Sequence, residues 1–265
     1  MKVLKYSKKL LIAAIPIVAF FVLWQIGASF APRGVLSSPT KIAAAMWTEF
    51  LRTKPAMNMG GLTFLQHTTR SIFRIVKGFA LAGSVGIVFG FVLGTFFKPL
   101  EKLLLPFFQV CEKLNPFAII PVFMIIFGIG EQEKVAIVFW AAIWPVLFNT
   151  QAGAKSVDAS LIKAARTMGA SRFKLFTGVI LPYTLPSVFT GLKLGIRVAF
   201  FMIIAAELAG ATSGIGWFYI QQKVAYKLAL VYGSILFITL LAIIFNALFT
   251  RLEKHFLKWK EGVFK

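Results

Sequence analysis

The stretch GFALAGSVGIVFGFVLG, Gly78–Gly94, decides the fold. It is apolar almost throughout, and a helix needs roughly 20 such residues to cross a bilayer. Within it Gly78, Ala82, Gly86, Gly90 and Gly94 recur every fourth residue. On a helix of about 3.6 residues per turn this spacing puts all five on one face. Such a small-residue stripe lets a second helix approach closely. The stretch therefore reads as one span of a packed helix bundle, and it carries no chemistry.

The rest of the chain agrees. Its 265 residues are 58% hydrophobic and 14% charged, with a mean hydropathy of +0.82. These values place it among all-α, polytopic membrane proteins. The net charge of +20 does not indicate nucleic acid, because the 29 Lys and Arg lie dispersed between apolar runs and flank spans as membrane topology requires. One cysteine, Cys111, excludes an intrachain disulfide. His67 and His255 lie far apart, and the nine acids are scattered except Glu131 and Glu133. This leaves no cluster for a metal site or a membrane enzyme.

Six spans are expected, at about Leu10–Phe30, Val76–Phe97, Leu103–Gly128, Lys134–Thr150, Pro186–Gly210 and Leu230–Phe249. The third is broken by Pro106, Pro116 and Pro121, and the fourth contains Pro145. The first follows Lys2, Lys5, Lys8 and Lys9. It is an uncut anchor, as its length and Trp24 favour, or a cleaved signal peptide. An even count puts both termini on one side. Lys98, Lys102, Lys155, Lys163, Arg166, Arg172, Lys174 and the tail bases from Arg251 to Lys265 then share a side with the basic N-terminus. That bias orients the chain N-in, C-in. The outer segment Ala31–Ile75 is a partial exception, since it carries Arg33, Lys41, Arg52, Lys54, Arg70 and Arg74. Its SSPTKIAAAMWTEFL reads as an amphipathic helix on the membrane surface, capped by Ser38 or Thr40.

The segment AARTMGASRFKLFTGVILP, Ala164–Pro182, is too ordered for a plain connector. Val157, Leu161, Ala164, Ala165 and Met168 fall on one helical face. Ser156 or Asp158 supplies the N-cap, and Gly169 the left-handed C-terminal position. Ser171 restarts a helix with an apolar face of Phe173, Phe176 and Ile180, and Pro182 falls just past its end. Ala164 and Ala165 are expected at the exposed bend, where another protein's backbone can come close.

This segment resembles the cytoplasmic signature of permease subunits of binding-protein-dependent ABC importers. That signature reads Glu-Ala-Ala, three residues, Gly, nine residues, Ile, any residue, Leu-Pro. Here Lys163, Ala164 and Ala165 are followed at the same spacing by Gly169, Val179, Leu181 and Pro182. Further stretches are similar to the nitrate/sulfonate/taurine-type branch: LNPFAIIPVFMIIFGIG (Leu114–Gly130), FNTQAG (Phe148–Gly153), GASRFKLFTGVILPYTLPSVFTGLKLG (Gly169–Gly195) and AAELAGATSGIGW (Ala205–Trp217). The chain departs from the signature at Lys163, which inverts the charge of the Glu, and at Val179, a mild apolar exchange.

The resemblance implies a single permease domain over residues 1–265. It has a first span and outer segment (1–64), a core (65–250) with a coupling loop (151–185), and a basic cytoplasmic tail (251–265). It implies a bacterial inner-membrane location and a coupling helix, about Ala159–Met168, docked on a cytoplasmic ABC ATPase present in two copies. A second permease copy and an extracytoplasmic substrate-binding protein complete the set. ATP is used by the partner, since the chain has no Gly-x-x-x-x-Gly-Lys-[Ser/Thr] phosphate loop, and no cofactor is expected in this chain.

For the pathway, Lys193 and Arg197 lie four residues apart on one face of the fifth span, with Arg197 near mid-membrane. An intramembrane cation marks a functional position, here one favouring anions. The alternative is snorkelling for Lys193 and buried polar pairing for Arg197. Glu207 stands about 21 Å from Lys193 along the helix, beyond direct reach. Asn115, Pro116 and Pro121 make irregular backbone beside the path, or simply a kink. Ala211–Gly216 reads as a flexible outer turn, either a docking edge or an ordinary turn. A secondary transporter and a scaffold subunit remain the competing classes. The former is weakened because no internal repeat of the kind such carriers show is evident.

Overall fold

The computed structural model describes residues 2–32, 34–55, 60–96 and 98–257. Among them no strand occurs. Arg33 and the tail beyond Leu257 lie outside the described residues.

Three helices make the centre. α1 (Lys2–Phe30) and α2 (Pro39–Leu51) precede the first of them, α3 (Phe64–Phe91). α3 begins twelve residues before the expected second span. The reason is a reciprocal cap. The Gln66 N–H donates to the Thr63 hydroxyl at 3.4 Å, and the Thr63 N–H donates to the Gln66 side chain at 2.8 Å. Arg70 and Arg74, expected in the outer segment before the span, therefore belong to its helix, and Arg74 is buried.

The glycine stripe of α3 packs on the second central helix, labelled α6 (Glu131–Lys155), with α4 (Lys98–Lys113) and α5 (Pro116–Phe127) between them in the chain. A Cβ on Gly78 would meet Val135 and Val138, and one on Gly94 would meet Gln151 and Ala154. α3 and α6 thus run side by side in the same direction. A Cβ at Gly90 would sit 2.8 Å from the Leu147 carbonyl oxygen, so the two backbones are nearly in contact.

Beyond α6 the chain forms α7 (Ala159–Thr167), α8 (Arg172–Leu175) and the third central helix, α9 (Leu181–Gly210). Gly195 faces Ala142, Gly191 faces Pro145, and Gly153 faces Ser187, so α9 runs antiparallel to α6. Ala82, Val138, Ala142, Ala199 and Ile203 fill the shared core without exposure. α10 (Ile215–Val224) and α11 (Leu228–Phe256) close the chain.

The expected third span is two helices, α4 and α5, bent by 100°. Of its three prolines only Pro116 breaks the helix. It opens α5 at a position that needs no N–H, and Asn115 caps that end by accepting from the Phe117 N–H at 3.0 Å. Pro106 and Pro121 stay inside helices, as does Pro145 in α6.

Among the described residues four helical stretches are long and apolar enough to cross a membrane: Phe64–Thr95, Glu131–Lys155, Arg172–Gly210 and Leu228–Phe256. The bent pair makes a fifth if it counts as one span. The first of the six expected spans falls on α1, whose apolar stretch among the described residues, Ile15–Phe30, is shorter than these. α2 sits against the bundle, with Ile42 and Met46 buried beside Phe64, Phe218 and Leu230. Ser38 stands at its N-cap position without a capping hydrogen bond to the helix.

Candidate functional site

The loop between α6 and α9 marks one end of the bundle. Asp158 is the residue that caps α7, accepting from the Ser160 N–H at 2.8 Å. That bond, with a second from the Ser160 side chain, holds its carboxyl below the usual aspartate range. Gly169 ends α7 at φ +76°. The Gly169 N–H donates to the Arg166 carbonyl at 2.9 Å and the Ala170 N–H to the Ala165 carbonyl at 3.0 Å. These are the two bonds of a Schellman stop, which needs a left-handed residue. Ser171 restarts the helix by accepting from the Lys174 N–H at 3.3 Å.

Two expectations change here. The apolar residues of α7 do not share one packed face. Ala165, 8% exposed, joins Val157, Leu175, Ile180 and Val188 in a buried cluster, and Ile162 packs against it. Leu161, Ala164 and Met168, 82% exposed, point the other way. So only Ala164 of the alanine pair is open. Pro182 also does not terminate a helix. The chain passes through it by a wide π-turn over Phe176–Ile180, in which the Leu181 N–H bonds to the Phe176 carbonyl. The extra residue per turn relieves the clash a proline ring makes with the turn before it. Val179 and Leu181 are half-buried against the same cluster as Ala165. Lys163, Arg166, Arg172 and Lys174 are all exposed, and the one carboxylate among them is the Asp158 cap.

The opposite end is knitted together by side chains that sequence reasoning left unconnected. Arg74 of α3 binds Glu131 of α6 through Nε at 2.7 Å and through Nη2. Its Nη1 reaches Glu207 of α9 at 2.7 Å, and its fork also donates to the Ser213 carbonyl and hydroxyl. Ser71 donates to Glu207 at 2.6 Å and accepts from the Ile215 N–H at 2.8 Å. Glu207 accepts from the Gly216 N–H at 2.8 Å, and His67 Nδ1 accepts from the Gly214 N–H at 3.1 Å. The Ala211–Gly216 turn is therefore clamped. Ser213, Gly214, Ile215 and Gly216 are buried, against the expectation of a flexible outer turn. A Cβ on Gly214, at φ +116°, would collide with the Glu207 carboxylate. Beside it Lys134 Nζ donates to Glu133 at 2.9 Å, to the Gly130 carbonyl at 2.9 Å and to the Gly210 carbonyl at 3.3 Å.

The structure separates the two cations of α9. Lys193 pairs with Glu253 of α11 at 2.6 Å, both about one-fifth exposed. Arg197 is exposed; among the described residues its side chain hydrogen-bonds Asn246 alone, Nε to Oδ1 at 3.3 Å, and it lines an open-sided cavity of about 390 Å³ between α5, α9 and α11. Asn115 and Pro116 form the corner from which α5 sends Phe117 into the same cavity wall. Pro121 is exposed, a little over one turn further along α5.

A helix bundle fastened at one end, with an ordered and exposed helical loop at the other, defines a membrane subunit with a surface left for a partner. The comparisons say which. Residues 86–261 match the family described as "binding-protein-dependent transport system inner membrane component". The bicarbonate transport system permease protein CmpB of Synechococcus elongatus is 32% identical over 206 residues, 76% of this chain and 73% of that one. A Bacillus subtilis chain named as an aliphatic sulfonates transport permease, SsuC, is 30% identical over 196 residues, 74% and 71% of the two. The inward-facing MetNI methionine ABC transporter superposes with a TM-score of 0.63 at 15% identity, over 72% of this chain and 95% of that chain, a likeness of fold. The protein belongs to this family: it is an ABC importer permease, a multi-pass inner-membrane transport subunit.

Proposed function

We propose that the chain works as one of two permease copies, joined to two cytoplasmic ATPases and an external binding protein, and conducts a small anion. ATP is bound and hydrolysed by the ATPases alone. The loop end faces the cytoplasm in the N-in, C-in arrangement, and α7 with Lys163, Ala164, Ala165, Gly169, Val179, Leu181 and Pro182 couples ATPase closure to the bundle. The observation that supports this reading is the exposed face Leu161–Ala164–Met168 on a helix whose other face is anchored through Ala165. A docked partner would push on α9 through the unbroken helix that starts at Arg172, a rigid transmission. Arg197 supplies the preference for anions, beside the corner made by Asn115 and Pro116, with Pro121 further along. Lys193, tied to Glu253, holds α9 to α11. The relatives named for bicarbonate and for sulfonates are in keeping with an anionic cargo.

The test is purification of the tagged chain from its native membrane in mild detergent, followed by ATP hydrolysis and identification of what travels with it. An ATPase should co-purify, and Gly169→Pro should release it. A chain that comes out alone and without ATPase activity overturns the reading in favour of a self-sufficient carrier or a scaffold.

A further inference from the structure

The corner between α4 and α5 carries polar groups that a lipid tail cannot satisfy. The bent pair runs the length of the bundle. Near the start of α4, Glu101 accepts from Gln151 at 2.9 Å and from Lys155 at the loop end. Just past α5, Glu131 joins the Arg74 clamp at the other end. The corner falls between. Cys111 packs in one cluster with Ala82, Ala142 and Ile196, each near the middle of its own helix. Glu112 and Lys113 follow it directly, Gln109 lies one turn before them and Asn115 just after. All four are exposed. The Lys113 side chain is 81% open and that of Glu112 37%. Among the described residues these two charges pair only with each other, at a loose 3.6 Å.

Charges at mid-depth need a polar neighbour. An ionised side chain in hydrocarbon is costly, and such residues face the bundle interior, a partner or a water-filled space. The backbone points the same way. α4 stops at Lys113, and Pro116 brings no N–H to its last turn. Broken backbone at membrane depth is tolerated only inside protein or against water. Beside the corner, Phe117 lines the Arg197 cavity, so the corner borders the proposed pathway. Its charges come as minus beside plus, a self-complementary set. Across a two-fold axis Glu112 of one copy meets Lys113 of the other, and Lys113 meets Glu112, as an isologous contact requires.

We infer that the α4–α5 corner is where two copies of this chain meet across the pathway at mid-membrane, Glu112 of each copy pairing with Lys113 of the other. This rests on the proposal that two permease copies work together. Exposed ion pairs are weak, so the contact can part into water, as a pathway that opens there requires.

The test is a disulfide across the axis. Leu114→Cys, at an exposed position on the corner, is combined with Cys111→Ala in the full-length chain and oxidised in native membranes. A covalent dimer of the chain is expected. Leu240→Cys, exposed on α11, is the control for random collision. Glu112→Lys or Lys113→Glu alone turns attractions into repulsions and should cut the dimer by roughly fivefold or more. Both together restore the complementarity and should bring it back, which a mere loss of folding would not allow. A Leu114→Cys cross-link no stronger than that of Leu240→Cys, as lipid or a different subunit over the corner would give, overturns the inference. So do single reversals that leave the dimer unchanged, or a double reversal that stays as low as the single ones. An ATPase that co-purifies with a chain lacking the cross-link defeats this contact alone. A charge-dependent cross-link in a chain without an ATPase supports the contact and defeats the importer assembly instead.

Discussion

The two ends of the bundle are built from opposite materials. At the α3 start, four elements meet through Arg74, Glu131, Glu207 and the buried Ser213 turn, and almost every donor has a carboxylate or carbonyl within 3 Å. At the α7 end the order comes from backbone devices, an Asp158 cap and a Gly169 stop, while the long side chains point into open space. The first end derives its order from tertiary partners. The second is ordered locally and leaves its surface unused. Damage to the first should cost stability, and damage to the second should cost partnership, and the substitutions below are arranged to separate these.

The largest loss is expected at Arg74. Arg74→Ala leaves the carboxylate of Glu207, 1% exposed, without its cation. Breaking a buried pair in this way costs about 3–5 kcal/mol. Thermal unfolding of the purified chain in detergent should show it as a large drop in melting temperature. A melt indistinguishable from the native one would mean that the clamp adds nothing to the fold. Gly90→Val comes next. Its Cβ alone would press on Thr150 and the Leu147 carbonyl, and overpacking of this kind costs about 1–3 kcal/mol. The same substitution at Gly178, where nothing lies within 4 Å of a Cβ, should cost clearly less. If the two melt alike, the close approach of α3 and α6 is not what the glycine stripe provides.

Asp158→Ala should loosen α7 alone. Amide exchange should rise from Ser160 to Ile162 while the α3–α6 core stays protected. The pH dependence follows the same bond. A carboxyl whose folded pKa is lowered contributes stability above its unfolded value of about 3.9, and loses it as pH falls through the folded value. Fraying of α7 is therefore expected only in acid, below the ordinary aspartate range. Fraying already at pH 6 would assign it to another group.

What the sequence made legible and what it hid divide along the same line. The glycine stripe, the Gly169 stop and the choice of caps for α7 are local, so spacing and residue type were enough. The Thr63–Gln66 cap is local too, and attention to Thr-Phe-Leu-Gln would have found the true start of α3. Arg74 and Glu207 are 133 residues apart, and no periodicity links them. They read as one of several outer-segment bases and a lone acid until the helices are placed. The pairing of Lys193 with Glu253 was hidden for the same reason. Burial of Ala165 beside an open Ala164 depended on where the loop folds back, which helical spacing alone does not fix. The 100° bend at Pro116 was visible as a break, but three prolines offered three places for it, and only the Asn115 cap distinguishes one.

The smallest structural effect is expected at Ala164, and it is the most informative about the comparison. Its methyl is exposed and belongs to no cluster of buried side chains. Ala164→Arg on a capped helix should change stability by about 0.5 kcal/mol or less. The melt and the amide exchange of the core should match the native chain. If α7 is the coupling helix, however, a bulky cation between Leu161 and Met168 cannot seat in a partner's cleft, and the co-purifying ATPase should be lost. Ala165→Arg is the control one residue away. It forces a charge among Val157, Leu175 and Ile180 and should lower the melt. Loss of the ATPase from Ala164→Arg with an intact fold, beside loss of the fold from Ala165→Arg, would show that adjacent alanines serve the two different ends of the design: one holds the loop to the bundle, the other leaves it free to be held.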